Sequence, residues 1–214
     1  MSAWTQFRFD LTTGMPSAWR VLRAHLSWRA TLAVFCRFLW HSIWFRRPEG
    51  LALEQPGAQF TWRQLRPVLI LERSLTLPSD ADKARRRTIL AEIVAETGAA
   101  FIASQVPIDP AQWSQLDDGQ RRRLAEASLK RFGNAEARLQ AVSPQRLSFD
   151  VHHCYFVELC SAMNRPELAS LFCAADRRFF GGRDDVVLSR ESTLAEGADH
   201  CAFRFRLPQG DDPP

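Results

Sequence analysis

The hydrophobic pattern of this chain changes period once, at Pro144. Before it, apolar residues recur at helical spacing. After it, residues 146–153 alternate, with Leu147, Phe149, Val151 and His153 on one side and Ser148, Asp150 and His152 on the other. Such alternation buries one face of a strand and wets the other. Residues 154–163 then read as a helix stopped at Asn164-Arg165, and residues 166–176 as a second helix with proline in its first turn. Residues 186–191 and 200–207 read as two further strands joined by a loop at 195–198. The expected fold is therefore α+β: a mainly helical N-terminal two-thirds, then a strand–helix–helix–strand–strand module forming a small antiparallel sheet.

Within the helical part, residues 16–47 read as one long helix, or two joined near Arg29, ending before Pro48-Glu49-Gly50. Residues 50–62 look like a connector, and 63–77 suit either a short strand or a helix. Ser79-Asp80 is an expected N-cap for a helix over 81–97, with Gly98 as its C-cap. Asp109-Pro110 opens another helical segment that restarts before 121–132 and ends at Gly133-Asn134. The expected organisation is an N-terminal helical extension (1–50), an α+β domain (51–207) and a disordered tail (208–214).

Fifteen Phe and seven Trp against a single Tyr call for extensive apolar burial. The net charge of +4 is spread along the chain, which gives no nucleic-acid signature. Arg85–Arg87 and Arg121–Arg123 stand beside acidic residues and read as solvated helix faces. Five cysteines at irregular spacing, with no secretory signal, imply reduced thiols in a cytoplasmic protein. Residues 30–45 are aromatic-rich and flanked by arginines, but too short for a spanning helix and interrupted by Arg37 and His41. They fit first a buried or partner-covered helix, which allows an oligomer, and second an amphipathic helix with Trp40 and Trp44 at a membrane surface.

Four of the five cysteines and three of the five histidines fall between Phe149 and Phe205. Cys154 follows a strand and opens a helix, where the helix dipole lowers a thiol pKa and favours a nucleophile. His152 is on the Cys154 side of the strand. Cys173 and Asp176 are three apart on one helix and share a face. Asp176 lies near the helix end, where the dipole opposes it, so it requires a partner such as Arg190 or Arg204. Cys201 is in phase with Phe203 and Phe205 and faces the core. Cys160 reads as packing. No zinc-site spacing, phosphate-binding glycine loop or metalloprotease motif is present, so neither a metal nor a cofactor is implied.

The order strand–Cys154–helix, Pro166-Glu167-Leu168, Phe172-Cys173-x-x-Asp176, Arg190-x-x-Thr193-Leu194-Ala195-x-Gly197 and Cys201-x-Phe203-Arg204-Phe205 resembles the L-2-amino-thiazoline-4-carboxylic acid hydrolase family. The resemblance covers about residues 149–205. It implies a hydrolase that opens a small cyclic amidine to N-carbamoyl-L-cysteine. Carried over by position, Cys154, Cys173, Asp176, Thr193 and Cys201 line its pocket, with Cys154 or Cys173 as nucleophile or ligand, Asp176 as base or orienting carboxylate, and an arginine such as Arg190 for the substrate carboxylate. Ala202 stands where the family often has an acidic residue. The stretch from Gly197 to Phe203 also resembles 4-vinyl-reductase-type ligand-binding domains, with Thr193 where some of those carry a cysteine. That likeness implies the alternative, a non-catalytic small-molecule-binding or accessory protein.

Overall fold

A computed structural model describes residues 8–76, 81–105 and 109–207. The expected N-cap at Ser79-Asp80 and the tail at 208–214 lie outside the described residues. The helices are α1 (Met15–His25), α2 (Trp28–Trp44), α3 (Pro56–Ser74), α4 (Ala81–Gln105), α5 (Pro110–Gln115), α6 (Asp118–Leu129), α7 (Tyr155–Ala162) and α8 (Ala169–Phe180). The strands are β1 (Ala135–Ser143), β2 (Arg146–Cys154), β3 (Val187–Ser189) and β4 (Cys201–Arg206), in one antiparallel sheet of order β1-β2-β4-β3. The fold is α+β as expected, with α1 to α6 ahead of a C-terminal sheet and α7 and α8 between β2 and β3.

Several local features differ from the sequence reading. A π-helical stretch, Asp10–Gly14, runs straight into α1, so helical backbone begins ahead of residue 16. The break between α1 and α2 falls at Leu26-Ser27, where the Ser27 side chain accepts the Ala30 N–H. The expected connector at 50–62 is helical from Pro56 onward, because proline suits a first helical turn. The undecided 63–77 stretch mostly continues that helix, and Pro67 inside it removes only one backbone donor.

Arg121 is not a solvated side chain. It is only 3% exposed, and its guanidinium donates to the carbonyls of Trp113 and Leu116 and to Asp118 Oδ1. It thereby binds the carbonyls at the end of α5, where Trp113 otherwise accepts only a long bond from the Leu116 N–H. Asp117 caps α6 through a reciprocal pair with Gln120.

Two apolar clusters make the core. One is helical and joins Val21, Leu22 and Val34 of the first two helices to Leu65, Ile89, Ile93 and Leu159. The other lies on the inner face of the sheet, where Leu147, Phe149, Val151, Cys201, Phe203 and Phe205 pack on Trp113, Ala125 and Phe180. Phe149 stacks on Phe203 with ring centroids 4.8 Å apart, a cross-strand pair set by the β2–β4 register.

Helix α4 crosses α8 between the clusters, and this explains why Gly98 continues the helix instead of ending it. A Cβ on Gly98 would lie 2.5 Å from the Cβ of Ala175, so only glycine allows the two backbones this approach. Gly98→Ala is expected to lower stability by about 1–3 kcal/mol through overpacking, despite alanine's better helix propensity. Urea unfolding of this variant, and of Gly98→Ala with Ala175→Gly, checks it. The second change should recover most of the loss.

Candidate functional site

The alternation of β2 is interrupted by a β-bulge. Glu136 pairs with His153 and Ala137 with Val151, leaving His152 without a counterpart on β1. The extra residue shifts the phase of the strand. Val151 faces the core, His152 and His153 both lie off it, and Cys154 returns to the inner side. This corrects the expectation for His152. It is exposed, its ring sits 5.6 Å from that of His200, and it does not line the inner cavity. His153 Nε2 lies 2.9 Å from Glu158 Oε2.

Between the inner face of the sheet and helices α3, α4, α6 and α8 is a cavity of about 190 Å³. Cys154, Cys173, Asp176, Arg190 and Cys201 all line it. Each arrives from a different local cause. Cys154 stands at the end of β2 just beyond the bulge. Cys173 and Asp176 are three apart on one face of α8. Cys201 opposes Val151 on β4. Arg190 follows β3 and is drawn inward by Asp176. Most of the remaining lining is apolar, including Phe60, Phe101, Phe132, Phe156 and Phe172. Phe156 and Phe172 stack with centroids 3.8 Å apart.

Arg190 and Asp176 form the polar centre of this wall. Arg190 Nη1 donates to Asp176 Oδ2 at 2.6 Å, with side-chain exposures of 5% and 19%. Its Nη2 donates to the carbonyl of Cys173 at 2.9 Å, and the guanidinium lies 5.1 Å from the Phe203 ring centroid. Of the two partners expected for Asp176, the structure selects Arg190. Arg204 pairs instead with Asp150 at 2.7 Å. Burial raises the Asp176 pKa above the ordinary carboxylate value, and the Arg190 charge and hydrogen bond pull against it.

The thiols are held neutral. Burial raises Cys154, and the backbone N–H groups of Val157 and Phe156 at the start of α7 only partly offset it. The helix-end effect expected for this thiol is present but outweighed by desolvation. Burial pushes Cys173 up to about 12, against the opposing charge of Arg190. Cys201 is also raised by burial, opposed by the Leu194 N–H, which donates to its sulfur at 3.2 Å.

Thr193 is buried but does not line the cavity. Its hydroxyl donates to Glu196 Oε2 at 2.7 Å and helps close the turn Leu194–Glu196. The turn exits through Gly197 at φ 88°, a left-handed conformation that favours glycine. Its effect on the site is indirect, because it aims the Leu194 N–H at Cys201.

Alkylation should follow this electrostatic order. Cys36 is exposed and is expected to react first with iodoacetamide at neutral pH. Cys173, at about 12, should react orders of magnitude more slowly than an ordinary thiol, and Cys154 and Cys201 should also lag. Peptide mapping over time checks this, and fast labelling of Cys154 or Cys173 would reveal an activated thiolate instead. Among the described residues no cluster of three or more His, Cys, Asp or Glu is placed to hold a metal ion. Cys160 is fully buried in the helical core and stands outside the cavity.

The family model for L-2-amino-thiazoline-4-carboxylic acid hydrolase matches residues 86–205, more than half of the chain. The chain belongs to this family. The match reaches well ahead of Phe149, where the sequence resemblance begins, and takes in most of α4 with Gly98 and Phe101. Those two cavity residues are ones that reading the closing module alone misses. Their one signal in the sequence is a glycine followed by Phe at helical spacing on a long helix. The cavity of this chain therefore draws on α4 within the matched region as well as on the closing module. No curated protein matches the chain. Among solved structures, an H-NOX protein mutant from K. algicida in its Fe(II) unliganded form aligns over 92% of this chain and 96% of its own. That alignment has 8% identity and a TM-score of 0.37, a level of similarity below that of a shared fold.

Proposed function

We propose that the cavity binds a small cyclic amidine, such as L-2-amino-thiazoline-4-carboxylate, and hydrolyses it to N-carbamoyl-L-cysteine. The observation that carries this reading is that Cys154, Cys173, Cys201, Asp176 and Arg190 line one cavity. At about 190 Å³ the space is below the range of drug-sized pockets and suits a single-ring metabolite.

Opening the ring adds the oxygen of water to the amidine carbon and breaks the bond from that carbon to the ring sulfur. Asp176 is the base: it takes one proton from the attacking water and returns it to the departing sulfur, so the carboxylate is regenerated, while the second water proton passes to the ring nitrogen as the C–O–H of the adduct becomes the carbonyl. A carboxyl whose pKa is raised by burial is a stronger base than an exposed one. Arg190 fixes its orientation and supplies positive charge near the substrate carboxylate. The neutral thiols of Cys154 and Cys173 serve as hydrogen-bond donors to the sulfur as charge develops on it, rather than as resting nucleophiles.

Ring opening releases a free thiol from the substrate, so turnover can be followed by thiol trapping. Cys173→Ala and Cys154→Ala are expected to remain active at a reduced rate. Complete loss in either, with binding intact, would transfer the nucleophilic role to that cysteine. The aromatic lining supports a second reading, a non-catalytic binder of an apolar small molecule. Tight binding of the heterocycle without thiol release would favour it.

A further inference from the structure

We propose that α2 docks the protein on an anionic lipid surface. Its inner face is held by the body of the protein: Thr31 and Val34 are buried, Trp19 packs on Phe35, and Arg66 donates to the Ser42 carbonyl at 2.8 Å. The outer face is a continuous apolar stripe at helical spacing, formed by Trp28, Leu32, Leu39, Trp40, Ile43 and Trp44. Trp40 is 62% exposed, Ile43 72% and Trp44 64%. Isolated apolar side chains on a surface need no explanation, but a full-length stripe of this kind marks a contact.

Charge decides what covers it. Arg29 stands at one end of the stripe and Arg46-Arg47 at the other. From residue 11 to residue 48 there are six arginines and no acidic residue. Beyond the C-terminal end of α2, a cavity of about 680 Å³ begins at Phe45 and Pro48 and is lined by Arg73, Arg86 and Arg87. Arg165 in the same cavity is held by Glu72 and Glu167 at 2.6 Å each, and Glu167 also feels the charge of Arg87. Indole rings beside arginines match the boundary between acyl chains and phosphate headgroups.

A second copy of the chain fits less well. Antiparallel pairing of two α2 faces sets Arg29 beside Arg46-Arg47 of the other copy, parallel pairing sets like on like, and α2 itself supplies no carboxylate, Glu49 lying beyond its C-terminal end. The helix is not a membrane span, because no described helix is long and apolar enough to cross a bilayer. It would lie in the interface, with its stripe down.

The test is flotation of the full chain with vesicles of phosphatidylcholine alone and of phosphatidylcholine with phosphatidylglycerol. The expected result is binding to the anionic vesicles only, weakened by salt, with slower alkylation of the exposed Cys36 on the stripe. Ile43→Glu with Trp44→Glu, and separately Arg46→Glu with Arg47→Glu, should each reduce binding at least about tenfold. These positions are exposed, so circular dichroism should show an unchanged fold. Absence of binding to anionic vesicles, or equal binding to both kinds, would overturn the proposal. So would a dimer in light scattering that protects Cys36 without lipid.

Discussion

Replacing Asp176 by Asn is expected to cut turnover of the aminothiazoline by about 10²–10⁴ while leaving binding within a few-fold. The amide retains an oxygen that can accept from Arg190 and nearly the same shape, but it cannot take a proton from water. A substitution that removes only the base should lower kcat with little change in KM. The pH profile gives the same role a second reading. Burial raises the Asp176 pKa, so the acid limb of the wild-type rate should lie above the ordinary carboxylate range, with activity rising as pH passes through the elevated value. A structural role for Asp176 would lower stability but would not by itself place that limb.

Arg190→Met is the change expected to damage the fold most. It leaves the Asp176 carboxylate facing an apolar cavity without its partner, at a wall where the ion pair is only 5% and 19% exposed. Removing one member of such a buried pair costs about 3–5 kcal/mol. The loss should depend on pH in a definite direction. Without Arg190, the opposing influence on Asp176 disappears and its folded pKa lies further above the unfolded value. Such a group gives stability that is complete below the unfolded pKa and lost as pH rises through the folded one. The deficit against wild type should therefore be largest at neutral pH and shrink toward pH 4. Urea midpoints across this range measure it. Adding Asp176→Asn to Arg190→Met should recover much of the loss, since no buried charge is then left unpaired.

The inner strands of the sheet were legible because apolar side chains alternate toward the core, although Ser148 and Asp150, expected on a wetted face of β2, are buried too. Leu147, Phe149 and Val151 on β2, and Cys201, Phe203 and Phe205 on β4, declare their side without help from the rest of the chain. β1 was not legible. Ala135–Ser143 is rich in Ala, Glu, Arg, Leu and Gln, all good helix formers, and its alternation is only half buried. Pairing with β2 overrides that local preference. The same limit hides the bulge at His152, since its position follows from the register with β1. Gly98 and Arg121 were misread for a related reason. A glycine late in a helical pattern looks like a terminus until Ala175 is brought against it, and an arginine in a charged run looks solvated until α5 ends beside it.

The candidate site was legible as a set of residue types more than as a geometry. Cys173 and Asp176 share a helix face by spacing alone, and Cys201 is fixed by its phase on β4. The protonation of these groups was not legible, because it depends on how much water the assembled cavity excludes. The N–H groups at the start of α7 do lower the Cys154 pKa, but desolvation outweighs them. His152 could not be excluded without the bulge, and Thr193 could not be assigned to its turn without Glu196.

The central claim is that one cavity both binds the heterocycle and opens it with water. Incubation of the wild-type chain and Asp176→Asn with the aminothiazoline in ¹⁸O-labelled water, read by mass spectrometry, tests it most directly. The expected result is N-carbamoyl-L-cysteine carrying the label from the wild type, and almost none from a folded Asp176→Asn that still binds the substrate. Equal product from both proteins, or binding by the wild type with no labelled product, would contradict it.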